Sequence, residues 1–312
     1  MAVSLPPKQP SLGAIKRGRH SLDAKMSGLK AQSPAAHAAI HILLVLLSLV
    51  FLFPLLWMIS TSLKPIDETM QLPPVWLPSK IMWANYGRAV TYQSDVLGYI
   101  PLLRYAWNTL YIAVLAVTGA VVSNAMVAYG FSRLRWPGRD PLFYLTLATM
   151  MIPFPVLMVP LFSVFKALHW TGSPKPLWVP AWFGSAFSIF LLRQFFLSIP
   201  FELTDAARVD GASEAQIFRR VLLPLCIPAL TVVALFTFMS TWNDFLGPLI
   251  YLVDQRTFTL SLGLQFYQSQ QGGTEWGLLM AASTMICAPV ILLFFFTQKT
   301  FIEGITVTGL KG

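Results

Sequence analysis

The chain has 312 residues, of which 55% are hydrophobic and only 11% are charged, and its formal net charge is +9. Soluble globular domains carry about 25% charged residues, so this composition excludes an ordinary soluble domain and indicates an integral membrane protein. The positive charge is also compatible with a nucleic-acid-binding protein, but the positions of the basic residues favour another explanation.

The first 36 residues are polar and Pro-rich, and no apolar run precedes a small-residue cleavage site there. We therefore predict no cleavable signal peptide. The basic residues of this segment suit the cytoplasmic side of a membrane protein. They are Lys8, Lys16, Arg17, Arg19, Lys25 and Lys30. We predict a disordered basic cytoplasmic tail over 1–36 and no nucleic-acid partner.

Six stretches without Asp, Glu, Lys or Arg follow, and they occupy 31–63, 105–132, 141–165, 176–192, 221–243 and 276–298. Most reach the roughly 20 residues that a helix needs to cross a membrane, and the fourth is expected to continue to about residue 199. Unbroken apolar runs exclude the alternating pattern of a membrane barrel. We predict an all-α protein with six transmembrane helices over 37–303 and a C-terminal cytoplasmic tail over 304–312.

An N-terminus in the cytoplasm places most of the 22 Lys and Arg residues on the cytoplasmic side, which is the usual bias of membrane proteins. We therefore predict that both termini are cytoplasmic.

The longest external segment, 64–104, is rich in Pro and aromatic residues. Two compatible interpretations are an interfacial aromatic belt with a short amphipathic helix near 83–90, and a docking surface for a binding protein. In the third membrane segment, Pro153, Pro155 and Pro160 predict a kink.

Between the fourth and fifth apolar runs lies a polar segment, ELTDAARVDGASEAQIFRRVLL, at 202–223. It predicts two short cytoplasmic helices with a bend at Gly211, which can turn the chain at little steric cost. Ser213 and Gln216 have the spacing of a capping box at the start of the second helix. The small side chains of Ala206, Ala207 and Ala212 allow another backbone to approach closely. We interpret this segment as a surface offered to a partner.

The string DAARVDGASEAQIFRRVLLP resembles the EAA loop of ATP-binding-cassette importer permeases. The matching positions are Asp205, Ala206, Ala207, Gly211 and Leu223-Pro224, and Asp at 205 replaces the usual Glu, which keeps the charge on a shorter arm. Further strings resemble the carbohydrate-uptake, maltose-type branch: FPLLWMISTSLKP, AYGFSRLRWPGR, MMIPFPVLMVPLF, WNDFLGPLIYL and TGLKG. The resemblance extends from about Val50 to Gly312.

This resemblance implies the type I importer permease fold, with a coupling helix (loop 201–223) between the fourth and fifth membrane helices, in the bacterial inner membrane. It implies a second homologous permease, two ATPase subunits that bind ATP and Mg, and an extracytoplasmic binding protein that delivers a sugar. The implied ATPase-coupling residues are Asp205, Ala206, Ala207, Asp210, Gly211, Ala212 and Pro224. The tail residues Thr308, Gly309, Leu310 and Lys311 are further candidate ATPase contacts, or else a frayed terminus.

The candidate substrate pathway is at Trp242, Asn243 and Asp244, about 20 residues into the predicted fifth helix. Polar groups within membrane spans are costly, and they commonly face a pathway or a partner. An amide, a carboxylate and an indole suit the hydroxyl groups and apolar faces of a sugar. The alternative is that these residues belong to the outer interfacial belt.

The chain has no motif for chemistry of its own. It has no Gly-Lys dipeptide and therefore no phosphate-binding P-loop, and it has neither an HExxH motif nor a GxSxG motif with a plausible triad. The four histidines lack metal-ligand spacing, so we expect no metal, no catalytic residue and no cofactor in this chain. If ATP drives the protein, a different chain must bind it.

Two alternative functions remain. Uptake of glycerol 3-phosphate uses permeases of the same branch, although the predicted spans offer few bases beyond Arg193 for an anionic substrate. A secondary transporter working alone would require inverted repeats and intramembrane carboxylates for ion coupling. The only charge predicted inside a span is Arg193, with Asp244 near an end, so we favour the importer permease. An intramembrane enzyme ranks third, since it lacks any motif.

Overall fold

The computed structural model describes residues 34–268 and 273–309, and within these residues it contains helices and loops but no strand. The α-helices in chain order are α1 (Pro34–Ser62), α2 (Ala84–Thr91), α3 (Ser94–Leu97), α4 (Pro101–Ser132), α5 (Arg139–Ala148), α6 (Phe154–Ala167), α7 (Lys175–Trp178), α8 (Ala186–Ser198), α9 (Phe201–Val209), α10 (Glu214–Gln216), α11 (Leu223–Leu225), α12 (Ile227–Trp242), α13 (Leu246–Tyr251), α14 (Leu260–Gly263) and α15 (Trp276–Gly309). Short 3₁₀ helices occupy Ile66–Glu68, Thr149–Met151, Val179–Phe183, Gln255–Thr257 and Leu264–Tyr267, and a π-helix occupies Ile217–Leu222. The predicted tail over 1–36 lies almost wholly outside the described residues.

The described chain divides into two compact units at Trp57, within α1. In the first unit, α1 carries apolar side chains on every face, as expected of a helix that lies in lipid or is fully covered. In the second unit, α4 packs against α8, α12 and the 3₁₀ helix Val179–Phe183. A Cβ atom at Gly119 of α4 would collide with the indole of Trp182, so the close approach of these two elements requires glycine.

Four helices are long and apolar enough to span a membrane within the described residues: Ala36–Ser62, Pro101–Ser132, Lys175–Ser198 and Trp276–Gln298. Two further pairs of helices pass the same test, but each pair is bent sharply. Counting each bent pair as one span gives six, which agrees with the prediction.

The first bent pair is Arg139–Met151 with Phe154–Ala167, and the bend is 101°. Of the three prolines that predict a kink here, Pro153 lies at the bend itself. Pro160 lies inside α6 without breaking it.

The second bent pair corrects the predicted fifth span, which was expected to run through 221–243. Its two parts are Glu214–Leu225 and Ile227–Trp242, and they meet at Cys226 with a bend of 78°. Pro224 and Pro228 lie on either side of Cys226, and neither has an N–H group to continue a straight helix. The membrane-crossing helix α12 therefore begins later than predicted. At the other end of the chain, α15 continues to Gly309, beyond the predicted boundary at 303.

On the external side, α2 coincides with the amphipathic helix predicted near 83–90 and is fixed by buried polar contacts. The Asn85 side chain donates from Nδ2 to the carbonyl oxygens of Ser62 (2.9 Å) and Lys64 (3.1 Å). The Ser62 hydroxyl bonds the Tyr86 hydroxyl at 2.8 Å, and Asn85 is only 5% exposed. We call Ser62, Lys64, Asn85 and Tyr86 the outer collar.

Candidate coupling site

The polar segment forms two arms joined by a tight turn, and we call residues 201–223 the elbow. The first arm, α9, ends in a Schellman turn in which Gly211 N–H donates to Arg208 O (3.0 Å) and Ala212 N–H donates to Ala207 O (2.9 Å). Gly211 has φ of +83°, a left-handed conformation that costs other L-residues about 1–2 kcal/mol. No atom lies within 4 Å of a Cβ built at this position, so the backbone conformation alone requires glycine.

The second arm begins with the predicted capping box. Ser213 Oγ accepts from Gln216 N–H (3.4 Å), and Gln216 Oε1 accepts from Ser213 N–H (2.8 Å). The arm continues as the π-helix Ile217–Leu222 and reaches α12 through α11. The elbow is therefore connected to the fifth span without a flexible linker.

Arg208 forms two ion pairs, one within the first arm and one that joins the two arms across the turn. Arg208 donates from Nη1 to Asp205 (2.7 Å) in its own helix and from Nε to Glu214 (2.8 Å) in the second arm. Hydrogen bonds from Arg208 and then from Tyr129 hold the pKa of Glu214 below its ordinary value, so this carboxylate is ionised at neutral pH. The Tyr129 hydroxyl belongs to α4, so Glu214 also ties the elbow to the second span. Asp205 thus serves as an ion-pair partner of Arg208.

The small residues of the elbow divide between its two sides. Ala207 and Ala212 are half-buried and pack against the apolar cluster around Ala125, Leu192 and Ile217. Each of them therefore faces the protein interior only in part, and their expected role in close approach of a partner stays a prediction. The predicted residues that remain exposed are Asp205, Ala206, Asp210, Gly211 and Pro224.

Sequence reasoning missed two residues at the cytoplasmic end of α4. Tyr129 bonds Glu214 as described, and Arg133 donates from Nη2 to the carbonyl oxygens of Phe196 and of Ile199 (2.6 Å). The available signal was the string AYGFSRLRWPGR, which contains both residues. The string indicated a family branch, but nothing local in it indicates these distant partners.

The predicted pathway residues follow one another at the end of α12, and their side chains have separate contacts. Trp242 is 6% exposed and donates from Nε1 to Ile286 O (3.3 Å), so its indole is part of the protein core. Asn243 follows the last turn of α12 and donates from Nδ2 to Met239 O (2.8 Å). Asp244 lies beyond the helix and accepts at Oδ1 from Gly247 N–H (3.0 Å). The group is at the end of α12 because that helix ends at Trp242, and its role in a substrate pathway stays a prediction.

The structure also bears on Arg193, which was predicted to lie inside a span, and on the C-terminal segment. Arg193 donates from Nε to Phe131 O (3.2 Å) and lies over the Phe143 ring, so it is level with the cytoplasmic end of α4 and is not a mid-span charge. At the C-terminus, the backbone of Thr308 and Gly309 completes α15. Leu310 and Lys311 lie outside the described residues.

The comparisons with known proteins agree with the geometry. Residues 124–306 match the family described as "Binding-protein-dependent transport system inner membrane component". The arabinooligosaccharides transport system permease protein AraQ of Bacillus subtilis is 33% identical over 276 residues, which cover 88% of this chain and 95% of AraQ. The trehalose/maltose transport system permease protein MalG of Thermococcus litoralis is 32% identical over 272 residues, covering 86% and 94%.

A chain from the crystal structure of a bacterial ABC transporter involved in the import of the acidic polysaccharide alginate has the same fold. Its TM-score is 0.75 at 24% sequence identity, and the match covers 86% of this chain and 99% of that chain. Its likeness supports the fold alone. The fold is that of a type I importer permease, with six transmembrane helices when each bent pair counts as one span, and the elbow lies between the fourth and the fifth of them. The chain belongs to the family of binding-protein-dependent transport system inner membrane components.

Proposed function

We propose that the chain is one of two homologous permease subunits of an ATP-driven sugar importer in a bacterial inner membrane, and that it forms half of the translocation pathway. The relatives named for oligosaccharide and disaccharide transport support a sugar as the substrate. The family description supports dependence on a binding protein, which delivers the sugar from outside.

The observation that carries this proposal is the construction of the elbow. Its arms are joined by Arg208, its turn is fixed by Gly211, and only Ile199 and Pro200 separate it from α8. An element connected this tightly to the fourth and fifth spans moves them when it is displaced. Coupling requires that a partner contact the elbow differently in two states of the transporter.

The partner in this account is a separate ATPase subunit, present in two copies, which binds ATP and Mg. One copy binds the exposed surface formed by Asp205, Ala206, Asp210, Gly211 and Pro224. Ala207 and Ala212 pack between this surface and the apolar cluster of the protein. The segment Thr308–Lys311 is a second contact with the ATPase.

Purification from native membranes in mild detergent, followed by mass spectrometry, tests the assembly. We expect a P-loop ATPase and a second permease to co-purify, together with a binding protein when its ligand is added. The recovered complex in proteoliposomes should take up a labelled sugar only when ATP and the binding protein are present.

Screening the recovered binding protein against sugars and glycerol 3-phosphate separates the two substrate classes. Binding of glycerol 3-phosphate alone would contradict the sugar assignment but preserve the importer. Recovery of the chain alone in several detergents, with uptake driven by an ion gradient, would contradict the importer itself.

A further inference from the structure

Arg133 is a buried cation at the junction of three helices. Its residue is only 5% exposed, although it lies in the loop that follows α4. Its Nη2 group donates to the carbonyl oxygens of Phe196 and Ile199, at the C-terminal end of α8. The last carbonyl groups of a helix lack partners within the helix, and a cation there also interacts favourably with the helix dipole.

The guanidinium also contacts the elbow. Its central carbon lies 4.2 Å from the centroid of the Phe201 ring, which is the geometry of a cation–π contact. Phe201 is the first residue of α9. One side chain thus joins the end of α4 to the end of α8 and to the start of the elbow.

Two donors of this group, Nε and Nη1, have no hydrogen-bond acceptor among the described residues. An unmade hydrogen bond of a buried charged group is costly, so an arrangement that offers these donors a carbonyl is favoured once the helices shift. The contacts of Arg133 are therefore able to differ between two positions of the elbow. Such a difference between states is what coupling requires.

We propose that Arg133 is a positioning residue that transmits displacement of the elbow to α4 and α8. This inference rests on the proposed function of the elbow. α4 packs against α8 and α12, so a shift of its cytoplasmic end reaches the centre of the second unit. Arginine suits this position because its planar group stacks on a ring while donating in its own plane, and because it stays charged when buried.

Arg133→Lys and Arg133→Gln test the proposal, and Arg135→Gln is the matched control. Arg135 is two positions away on the same loop, is exposed, and has no ion pair among the described residues. The readout is the ratio of ATP hydrolysis by the assembled complex with and without loaded binding protein. We expect the ratio to fall about 5-fold or more in Arg133→Lys, the lower end of typical allosteric couplings, and further in Arg133→Gln, with no change in Arg135→Gln.

A normal ratio in both Arg133 variants, measured per assembled complex, would overturn the proposal. Since Arg133→Gln removes a buried partner and can prevent assembly, Phe201→Leu gives a second route: it removes the ring and keeps an apolar side chain. We expect Phe201→Leu to lower the ratio, and to add nothing in combination with Arg133→Lys, because both changes break the same link. Fully additive losses would contradict a shared link.

Hydrogen exchange of the permease complex separates this inference from the proposed function. The amides of α9 and of the last turn of α8 should exchange faster in Arg133→Lys than in Arg135→Gln, whatever drives the transporter. Equal exchange rates would overturn the role of Arg133. Faster exchange together with a wild-type complex that the binding protein never stimulates would leave the link standing and contradict the proposed function.

Discussion

The outer collar and the elbow are held by different kinds of contact. In the outer collar, the side-chain amide of Asn85 is buried and donates to two backbone carbonyl oxygens. One belongs to Ser62, the last residue of α1, and the other to Lys64, just after that helix. In the elbow, the ion pairs of Arg208 are substantially exposed, with the Asp205 side chain 64% accessible. The collar is thus fixed inside the protein, whereas the ion pairs of Arg208 in the elbow are at its surface.

The difference matters because the two kinds of contact differ in what it costs to break them. Leaving a buried carbonyl or amide unpaired costs about 1–3 kcal/mol, so the collar resists rearrangement. An exposed ion pair contributes about 0–1 kcal/mol, so the charges of the elbow exchange partners easily. Changes in the elbow should therefore alter coupling more than stability, and changes in the collar should do the reverse.

The largest expected effect on coupling comes from Gly211→Leu. Leucine in the left-handed backbone conformation of Gly211 costs about 1–2 kcal/mol. We therefore expect the turn, and the exposed binding surface around it, to be displaced. We expect the complex to assemble but to lose its substrate-stimulated ATP hydrolysis, measured on purified protein with loaded binding protein.

Gly138→Leu is the control for backbone strain. Gly138 has φ of +85° and open space around it on the same side of the membrane, but it lies outside the elbow. Its variant should retain stimulation, as should Gly211→Asn, since Asn tolerates this conformation. If Gly138→Leu lost as much substrate-stimulated ATP hydrolysis as Gly211→Leu, the result would contradict a special role of the elbow.

Arg208→Gln should have the next largest effect. It breaks the ion pair with Asp205 inside α9 and the ion pair with Glu214 across the turn, so the arms separate and the stimulated rate falls about 5-fold, while the melting temperature changes little because the pairs are exposed. Arg219→Gln removes an equal charge from an exposed residue of the same segment, with no ion pair among the described residues, and should behave as the wild type. A similar fall of the stimulated rate in Arg208→Gln and Arg219→Gln would indicate a general effect of charge and contradict the role of the ion pairs.

Tyr129→Phe should have a smaller effect on coupling. It removes the hydroxyl that bonds Glu214 and leaves Arg208 in place to hold that carboxylate. Hydrogen bonds to charged groups contribute about 1.5–3 kcal/mol, so we expect both a lower melting temperature and a modest loss of stimulation. The exposed Tyr144, changed to Phe, is the control, and it should alter neither quantity. Unaltered melting and coupling in Tyr129→Phe would contradict the tie to α4.

Asn85→Ala should have the smallest effect on coupling and a clear effect on stability. It leaves two carbonyl oxygens of the outer collar without their donor, at about 1–3 kcal/mol each where they stay buried. We expect a lower melting temperature and less assembled complex, with a normal stimulation ratio in what remains. A reduced ratio at unchanged stability would break the contrast between collar and elbow.

Local features of the sequence were sufficient for the spans and for the outline of the elbow. The apolar runs, Gly211 and the Ser213–Gln216 spacing are local signals, and the structure has a span or a bent pair of helices at each run, the left-handed turn at Gly211 and the capping box. The fifth span was misplaced because two prolines around Cys226 moved the start of α12. The burial of Trp242 depends instead on its packing with Leu102, Tyr105 and Leu260, which are distant in sequence.

The contacts that hold the elbow in place were beyond such reasoning. Tyr129 and Glu214 are 85 positions apart in sequence, and Arg133 and Phe196 are 63 apart. Pairings at this separation depend on how the helices pack. The sequence likewise indicated that Ala207 and Ala212 are small, but only the packing of the cluster beneath them makes them half-buried.

The central claim is that the exposed face of the elbow is the seat of the ATPase. Photo-crosslinking tests it directly, with p-benzoylphenylalanine in place of exposed Ala206 in the elbow and, as a control, in place of Leu77, which is 79% exposed on the external side. After illumination of native membranes, we predict a covalent adduct with a P-loop ATPase from position 206 and none from position 77. An elbow that labels only lipid, or labels the ATPase no more than position 77 does, would contradict the account.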